Sequence, residues 1–432
     1  MNSQSSNVVT PASMKKRYFM VFVCMFMQAV PFGVAQNIQP LFIPYVVEEF
    51  QFSMAGFGLL FTIGALASSI ASPILGNAFG KLNIKLIFLI GTGLSSLGFF
   101  LFSTATTLPM FYFFNAVCQT GCVFFSSLGV PYIISQWFPG EGRGKALGLA
   151  FAGGSIGNVF LQPITSNLLN TFGPSQTYAI YGVVSILASL PVILFLLRLP
   201  KEGEIVDAPA KATSGKKETK GVEFEGLGSK AVTKNKMFWI FGLGYAIVGI
   251  SISALSSQYG SYFKAGLGLD AGTIGMLGSL FAVFCLIGNV GGGILFDKIG
   301  TFKTMSLSLV LQAVSIIALL AAAKMPNLAF VYSVAYGLNV FSYMSAPAFM
   351  ATDLFGKKDS SVNLGFVQLF FAVGFASGSA LFGAIVDATG GYQLAWVTML
   401  GCVVVGYVIV LTSMKVLLSQ KAELMSKQKQ AA

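Results

Sequence analysis

Side chains able to do acid–base or metal chemistry are few in this chain. Its 432 residues contain no histidine, which removes the commonest metal ligand and the side chain that most often titrates near neutral pH. The fifteen acidic residues fall in polar segments or at the ends of apolar runs, Glu48 and Glu49 among them. The five cysteines lie inside apolar runs, at spacings that fit neither a metal site nor a disulfide framework. The sequence therefore predicts no enzyme, no metal site and no cofactor.

Hydrogen-bonding chemistry remains, because amide and phenol side chains interrupt several otherwise apolar runs. Such groups can orient a bound solute while aromatic neighbours cover its apolar part. Asn and Gln also bond between packed helices, for about 0.6 kcal/mol on average, so each has an equally valid structural interpretation. The candidates are Gln28, Gln36, Asn37, Gln39, Asn115, Gln119, Asn158, Gln162, Gln258, Tyr259, Tyr262, Asn289, Asn339, Tyr343 and Gln368, from which we select Asn37, Gln119, Tyr259, Asn289 and Gln368 as substrate-binding residues.

The composition places these residues in a membrane. The chain is 55% hydrophobic and only 9% charged, which is too apolar for a water-facing surface. Its net charge of +11 would suggest nucleic acid in a soluble protein, but the basic residues sit in short segments between apolar runs. We therefore expect the lipid bilayer and a small solute as partners, with no nucleic acid, and we expect a monomer.

Apolar runs long enough to cross a bilayer need roughly 20 residues each. Twelve can be marked, which predicts an all-α membrane protein of two six-helix halves. The polar stretch KATSGKKETKG lies between the halves and cannot fold alone. We divide the chain into an N-terminal tail (1–16), a first half (17–199), a cytoplasmic linker (200–236), a second half (237–416) and a C-terminal tail (417–432). The predicted spans are 17–47, 54–79, 86–103, 107–136, 144–171, 176–199, 237–266, 271–296, 302–323, 327–352, 363–386 and 393–416.

Charge placement agrees with twelve spans. With both termini on one side, all of the 26 Lys and Arg except Lys264 and Lys324 lie on that side. Positive residues collect on the cytoplasmic side, so we expect both termini to be cytoplasmic in the inner (plasma) membrane. The first apolar run continues to about Val47 without a small-residue cleavage site, so it is read as a helix and not as a removed signal.

The two halves repeat each other in sequence. At one fixed offset, Gly76 matches Gly293, Lys81 matches Lys298 and Gly148 matches Gly365. This predicts parallel halves related by an axis along the membrane normal, around a central cavity. Glycines on predicted helices 5, 8 and 11 predict close helix contacts.

These repeated loops resemble the signature of the major facilitator superfamily, roughly G-x-x-x-D-R/K-x-G-x-x-R/K. The second copy is nearly complete, whereas the first has Gly80 at the acidic position and Asn83 at the second glycine. The resemblance implies a conformational latch between the halves that favours one access state, although each lysine taken alone is better explained as a topology charge. We assign Gly76, Lys81, Gly293, Asp297, Lys298 and Gly300 to this latch.

Within the superfamily the chain is similar to the oxalate/formate antiporter and monocarboxylate porter branch. The likeness lies in 33–53, 136–164 and the NLGF run at 363–366. It implies that helices 1, 4, 7 and 10 line the cavity, with 2, 5, 8 and 11 beside them. Members that take small carboxylates often carry cations on helices 8 and 11, where this chain has Asn289 and Phe371. Without them a dicarboxylate such as oxalate would lack a buried counter-charge.

The sequence thus predicts an alternating-access transporter of a small monocarboxylate or related organic anion, acting by exchange or facilitated diffusion. A carrier of a neutral or bulky amphipathic solute, including a drug-like one, is the first alternative, favoured by the 41 Phe and 14 Tyr. A solute sensor that signals through the linker without flux is an alternative of another class. An intramembrane enzyme is disfavoured because predicted spans hold no acid or histidine at mid-depth.

Overall fold

The protein is all-helical in a computed structural model that describes residues 14–76, 78–138, 143–201, 204–205, 228–356 and 360–431. No strand occurs among those residues. Most of the predicted linker, including KATSGKKETKG, lies outside them. The described chain confirms the predicted fold class of an all-α membrane protein.

The first half contains six helical segments, three of which become π-helical along part of their length, the sixth at its end, Val192–Leu196. The middle of the first segment, Gln28–Asn37, is π-helical and contains Pro31, whose ring blocks a regular α-helical hydrogen bond. A second π turn, Val123–Ser127, lies within the fourth. The segments are α1 (Met14–Phe50), α2 (Met54–Gly76), α3 (Ile84–Leu101), α4 (Leu108–Trp137), α5 (143–172) and α6 (174–196).

The second half also contains six segments, preceded by a short helix, Ser229–Lys234. Its last helix continues through residues 417–431, which the sequence assigned to a tail. The segments are α7 (Lys236–Ser257, continued by Tyr259–Ser261 and the π turn Tyr262–Gly266), α8 (Ala271–Ile299), α9 (Thr301–Ala322), α10 (Ala329–Leu338, Phe341–Met344 and Ala346–Phe355), α11 (Ser360–Thr389) and α12 (Tyr392–Ala431).

Ten helices of the described chain are long and apolar enough to cross a membrane. The difference from twelve has two physical causes. The 52-residue helix Lys145–Leu196 would be about 78 Å long at 1.5 Å per residue, far more than the roughly 30 Å of a hydrocarbon core. Gly173, with φ 74°, breaks it into α5 and α6. In contrast, α10 is largely apolar but consists of three short pieces, each too short to cross a membrane alone.

Consecutive helices run in opposite directions and give the bundle two sides. We call the side at which α6 ends and α7 begins the linker side, and the opposite one the distal side. On the distal side the start of α6 meets the end of α3, where Ser175 Oγ donates to Ser103 O at 2.5 Å. On the linker side Asn235 Nδ2 donates to Gln420 Oε1 at 2.7 Å, joining α7 to α12.

Glycines hold α5 against α1 and α11 against α7. A Cβ at Gly157 would collide with the backbone of Ala29, and one at Gly374 with that of Ala246. The same pairing in both halves follows from the sequence repeat and confirms the predicted close contacts at these positions. Gly148, Gly291 and Gly293 differ, because an added Cβ there would meet nothing within 4 Å.

The first residues of the linker are fixed to the first half by an ion pair. Arg198 donates to both carboxylate oxygens of Glu204, at 2.7 and 2.8 Å, and its guanidinium lies 4.7 Å from the ring centroid of Trp137. The hydrogen bonds from Arg198, helped by the backbone N–H of Lys201, lower the pKa of Glu204 to about 2. This clamp lies within one half and does not join the two.

Candidate substrate site between the two halves

Helices α2 and α11 meet at the distal side and join the two halves. The Asp387 carboxylate accepts hydrogen bonds from the backbone N–H groups of Met54 and Ala55, both at 2.9 Å. One turn away, a Cβ at Gly383 would lie 2.5 Å from the Ala55 nitrogen. Deeper along the same pair, Thr62 Oγ1 donates to Ala376 O. The junction therefore extends well into the bilayer.

Helices α5 and α8 form a second junction. A Cβ at Gly275 would lie 2.5 Å from Pro163 Cα, and Ser279 Oγ donates to Val159 O at 2.6 Å. Backbones this close leave no path for a solute between them. The distal part of α8 is thus sealed against α5.

The third junction joins the distal ends of α1 and α7. Lys264 Nζ lies 2.7 Å from Glu48 Oε2 and 3.6 Å from the ring centroid of Tyr45. A Cβ at Gly260 would lie 2.6 Å from Pro40 O. Together the three junctions close the distal side.

Gln162 on α5 lies within the α5–α8 junction, against Gly278, and connects both halves. Its Nε2 donates to Asn37 O at 3.2 Å and to Asn158 Oδ1 at 3.1 Å. Its Oε1 accepts from Tyr259 OH of α7 at 3.1 Å. The structure thus brings together two of the five predicted binding residues, Asn37 and Tyr259, through a third residue outside that set.

Gln119 has a different setting. It is 9% exposed, and its Nε2 donates to Ala35 O at 3.3 Å while its Cγ lies next to Gly64. It ties α4 to α1 and α2 inside the first half. The two remaining predicted residues are not close partners of the others: Asn289 is half-buried and Gln368 is exposed on α11, and neither side chain hydrogen-bonds within the described part of the chain.

Asn339 shows how far tertiary packing can redirect a polar residue. It lies at the break in α10 and is fully buried, where its Oδ1 accepts from Ser308 Oγ at 2.7 Å. Tyr407 OH and Asn339 Nδ2 both bond to Gln312 Oε1, at 3.0 and 3.3 Å. This network joins α9, α10 and α12 within the second half, so Asn339 is occupied by structural bonds.

Aromatic side chains gather around Phe371 on α11. The Phe371 ring stacks on Tyr343 of α10, with centroids 6.0 Å apart and planes at 3°. Phe375 lies 5.6 Å from Phe371 on the same helix. All three are partly exposed, which gives the second half an aromatic surface.

The predicted latch residues lie on the linker side. Lys81, Asp297 and Lys298 are exposed, and none of them forms a hydrogen bond or ion pair within the described residues. Gly300 adopts φ 78° at the turn into α9, a conformation that favours glycine. The hydrogen bonds that cross between described residues of the halves instead lie on the distal side or near mid-depth.

Charged and metal-ligating groups do not gather in the centre. The basic and acidic side chains of the described spans lie at helix ends, and no cluster of three or more His, Cys, Asp or Glu among the described residues could hold a metal ion. Hydrogen bonding and aromatic contact are therefore the chemistry that this central region offers.

The sequence model of the Major Facilitator Superfamily matches residues 18–257 and 241–430. The chain belongs to this superfamily. Similar relatives include the oxalate:formate antiporter of Oxalobacter formigenes, 24% identical over 393 residues (88% of this chain and 87% of the relative). Another is monocarboxylate transporter 13 of Rattus norvegicus, 24% identical over 383 residues (88% and 85%).

Solved structures share the superfamily fold. A bacterial homologue of the human lysosomal transporter Spinster, inward-facing and unoccupied, superposes with a TM-score of 0.66 at 18% identity, covering 96% of this chain and 97% of that one. The nucleoside transporter NupG gives a TM-score of 0.70 at 17% identity, covering 92% and 99%. With the match to the superfamily's sequence model and the apolar helices of the described chain, the protein is a multi-pass membrane transporter of this superfamily.

Two important residues were not selected from the sequence. Gln162 was one of many amides in apolar runs, with no local signal that set it apart. Asp387 falls just beyond the predicted span 363–386 and had no local signal, because its partners Met54 and Ala55 lie more than 300 residues away in the chain.

Proposed function

We propose that this superfamily member carries a small organic solute by alternating access, with its site between the halves near Asn37, Gln162 and Tyr259. The observation that carries the proposal is the one-sided contact between the halves. The halves meet on the distal side and at the Gln162–Tyr259 hydrogen bond of 3.1 Å. On the linker side, the latch residues Lys81, Asp297 and Lys298 are exposed. Rocking about the centre would exchange the closed side for the open one.

We further propose that the linker side is cytoplasmic, because it carries the great majority of the Lys and Arg. The conformation described above is then inward-facing. Latch residues Asp297 and Lys298 would contact the other half only in the opposite, outward-facing state. Asp297→Asn is expected to leave the contacts of the inward-facing state unchanged and to lower the population of the outward-facing state. Distance measurements between labels on the distal surfaces of the two halves can detect this change.

For the substrate we propose a small monocarboxylate. Two relatives are named for the transport of oxalate and formate or of monocarboxylates. The amide of Asn289 is half-buried and makes no hydrogen bond within the described residues, so its NH₂ is available to donate to a carboxylate. A single charge met by neutral donors is less costly to bury than the two charges of a dicarboxylate.

A neutral or amphipathic solute is the second candidate, and the stack of Tyr343 on Phe371 favours it. Aromatic rings pack well against the apolar part of a solute but offer no positive charge to an anion. The two candidates differ in how uptake should respond to competing solutes. Neutral solutes should inhibit uptake more strongly than monocarboxylates only if the substrate is neutral or amphipathic.

The experiment is uptake of labelled monocarboxylates into proteoliposomes whose lumens are empty, preloaded with unlabelled anion, or held at an imposed pH gradient. Uptake that requires preloading supports exchange. Asn289→Leu should raise the KM for uptake, whereas Gln312→Leu, in the buried network of the second half, should lower protein stability without a selective change in KM. Absence of uptake under all three conditions would refute the monocarboxylate proposal.

A further inference from the structure

The start of α2 is capped by residues from both halves. The first N–H groups of a helix have no partner within the helix itself. Ser53, just before α2, uses its Oγ to accept from Gly56 N at 3.0 Å. The first two N–H groups, of Met54 and Ala55, instead donate to Asp387 at the end of α11. The cap of α2 is therefore shared between its own chain segment and the opposite half.

The chemistry of this contact makes it a strong one for its size. Both carboxylate oxygens accept a hydrogen bond at 2.9 Å, and bonds to a charged acceptor are roughly twice as strong as neutral ones. The negative charge also lies at the positive end of the α2 dipole. Gly383, one turn before Asp387, permits this approach because any Cβ there would lie 2.5 Å from the Ala55 nitrogen.

We propose that Asp387 is a positioning residue of the transport cycle, which holds the distal side closed by capping α2 from the other half. The distal side cannot open while both bonds remain, because α2 and α11 belong to different halves. The inference rests on the alternating-access proposal, and it adds a closing residue that lies at the end of a span, away from the solute site.

Asp270 provides a matched control within the same chain. It also lies on the distal side and caps a helix, with Oδ1 accepting from Thr273 N at 3.0 Å, and its pKa is lowered by the bonds from Thr273. Asp270 and α8 belong to the same half. Its removal should weaken a helix start without changing how the halves meet.

The test uses the full chain in nanodiscs with Cys402→Ser, so that the remaining native cysteines are buried ones. Spin labels are placed at Thr106 and Met325, which are exposed in distal loops of opposite halves. Losing a helix cap typically changes an equilibrium about fivefold. Asp387→Ala should therefore raise the distal-open population roughly fivefold, while Asp270→Ala should leave the distance distribution unchanged.

A second pair of variants keeps Asp387 and covers the case in which its removal prevents folding. Gly383→Ala should open the distal side by pushing α2 away from α11. Gly391→Ala should not, because a Cβ there meets nothing within 4 Å. An unchanged distribution in both Asp387→Ala and Gly383→Ala, or an equal shift in the variants and their controls, would overturn the proposal.

The distance readout needs no substrate, so its outcome is separate from that of the uptake assay. Uptake that fails while Asp387→Ala still shifts the distances would refute the proposed substrate and retain the closing residue. Uptake that succeeds with unchanged distances would refute the role of Asp387 alone.

Discussion

The two sides of the bundle use their polar residues in opposite ways. On the distal side, Asp387 and Lys264 bond across the halves, and small residues bring the backbones together. On the linker side, the ion pair of Arg198 with Glu204 stays within the first half, and the signature residues Asp297 and Lys298 are exposed. A recognisable motif is therefore not always the contact that holds a given conformation. The signature loop lies on the linker side, whereas the contacts that close this conformation lie on the distal side.

The largest effect is expected from Gly275→Leu at the α5–α8 junction. Even a Cβ would lie 2.5 Å from Pro163 Cα, so a leucine must push the two backbones apart, at a cost of about 1–3 kcal/mol or more. We expect at least a roughly tenfold rise in alkylation of a cysteine placed in the distal seam. Gly291→Leu, on the linker-side part of α8 with nothing within 4 Å of its Cβ position, should leave alkylation unchanged.

Next in size is Tyr259→Phe, which removes the hydrogen bond to Gln162 Oε1. A buried acceptor left without its partner costs about 1–3 kcal/mol, so distal opening should rise roughly fivefold or more. Tyr262→Phe is the control, since Tyr262 OH donates to Leu319 O within the second half at 2.8 Å. Equal opening in both variants would show that the bridge at Gln162 has no special part in closure.

Glu204→Gln tests whether the Arg198–Glu204 ion pair of the linker side stabilises the first half without affecting how the halves meet. Arg198 is 39% exposed, so solvent screening limits the expected loss of stability to about 1 kcal/mol, with no change in distal opening. The pKa of Glu204 is lowered from 4.5 to about 2, so this stabilisation is complete above pH 4.5 and is lost as the pH falls toward 2. Thermal unfolding of wild type and variant should therefore converge in acid. A shift in distal opening at pH 7 would contradict the separation of the two sides.

The smallest effect is expected from Glu48→Gln. Glu48 is 72% exposed, and such surface pairs contribute about 0–1 kcal/mol. Lys264→Gln should open the distal side slightly more, because it also removes the contact with the Tyr45 ring. Both differences from wild type should shrink when salt is raised. Effects that are independent of salt would argue against an electrostatic origin.

Prediction from the sequence succeeded for features that depend on properties added up over many neighbouring residues. Hydropathy over some twenty residues located the spans, and repeated glycines such as Gly157 and Gly374 indicated where helices pack closely. The sequence was less informative about which contacts a single polar residue makes. Gln119 and Asn339 lie in equally apolar runs, yet one ties three helices together and the other belongs to a buried network.

Residue composition and order are enough to predict a helical membrane protein of two repeated halves, because hydrophobicity, charge placement and sequence repeats can be read without knowing how the helices pack. Which polar groups meet depends on the tertiary structure. Tyr259 and Gln162 are 97 residues apart, and Asp387 and Met54 are 333 residues apart. Such pairs form through the packing of whole helices, and a hydrogen bond depends on the distance between two atoms, which no local pattern in the chain specifies.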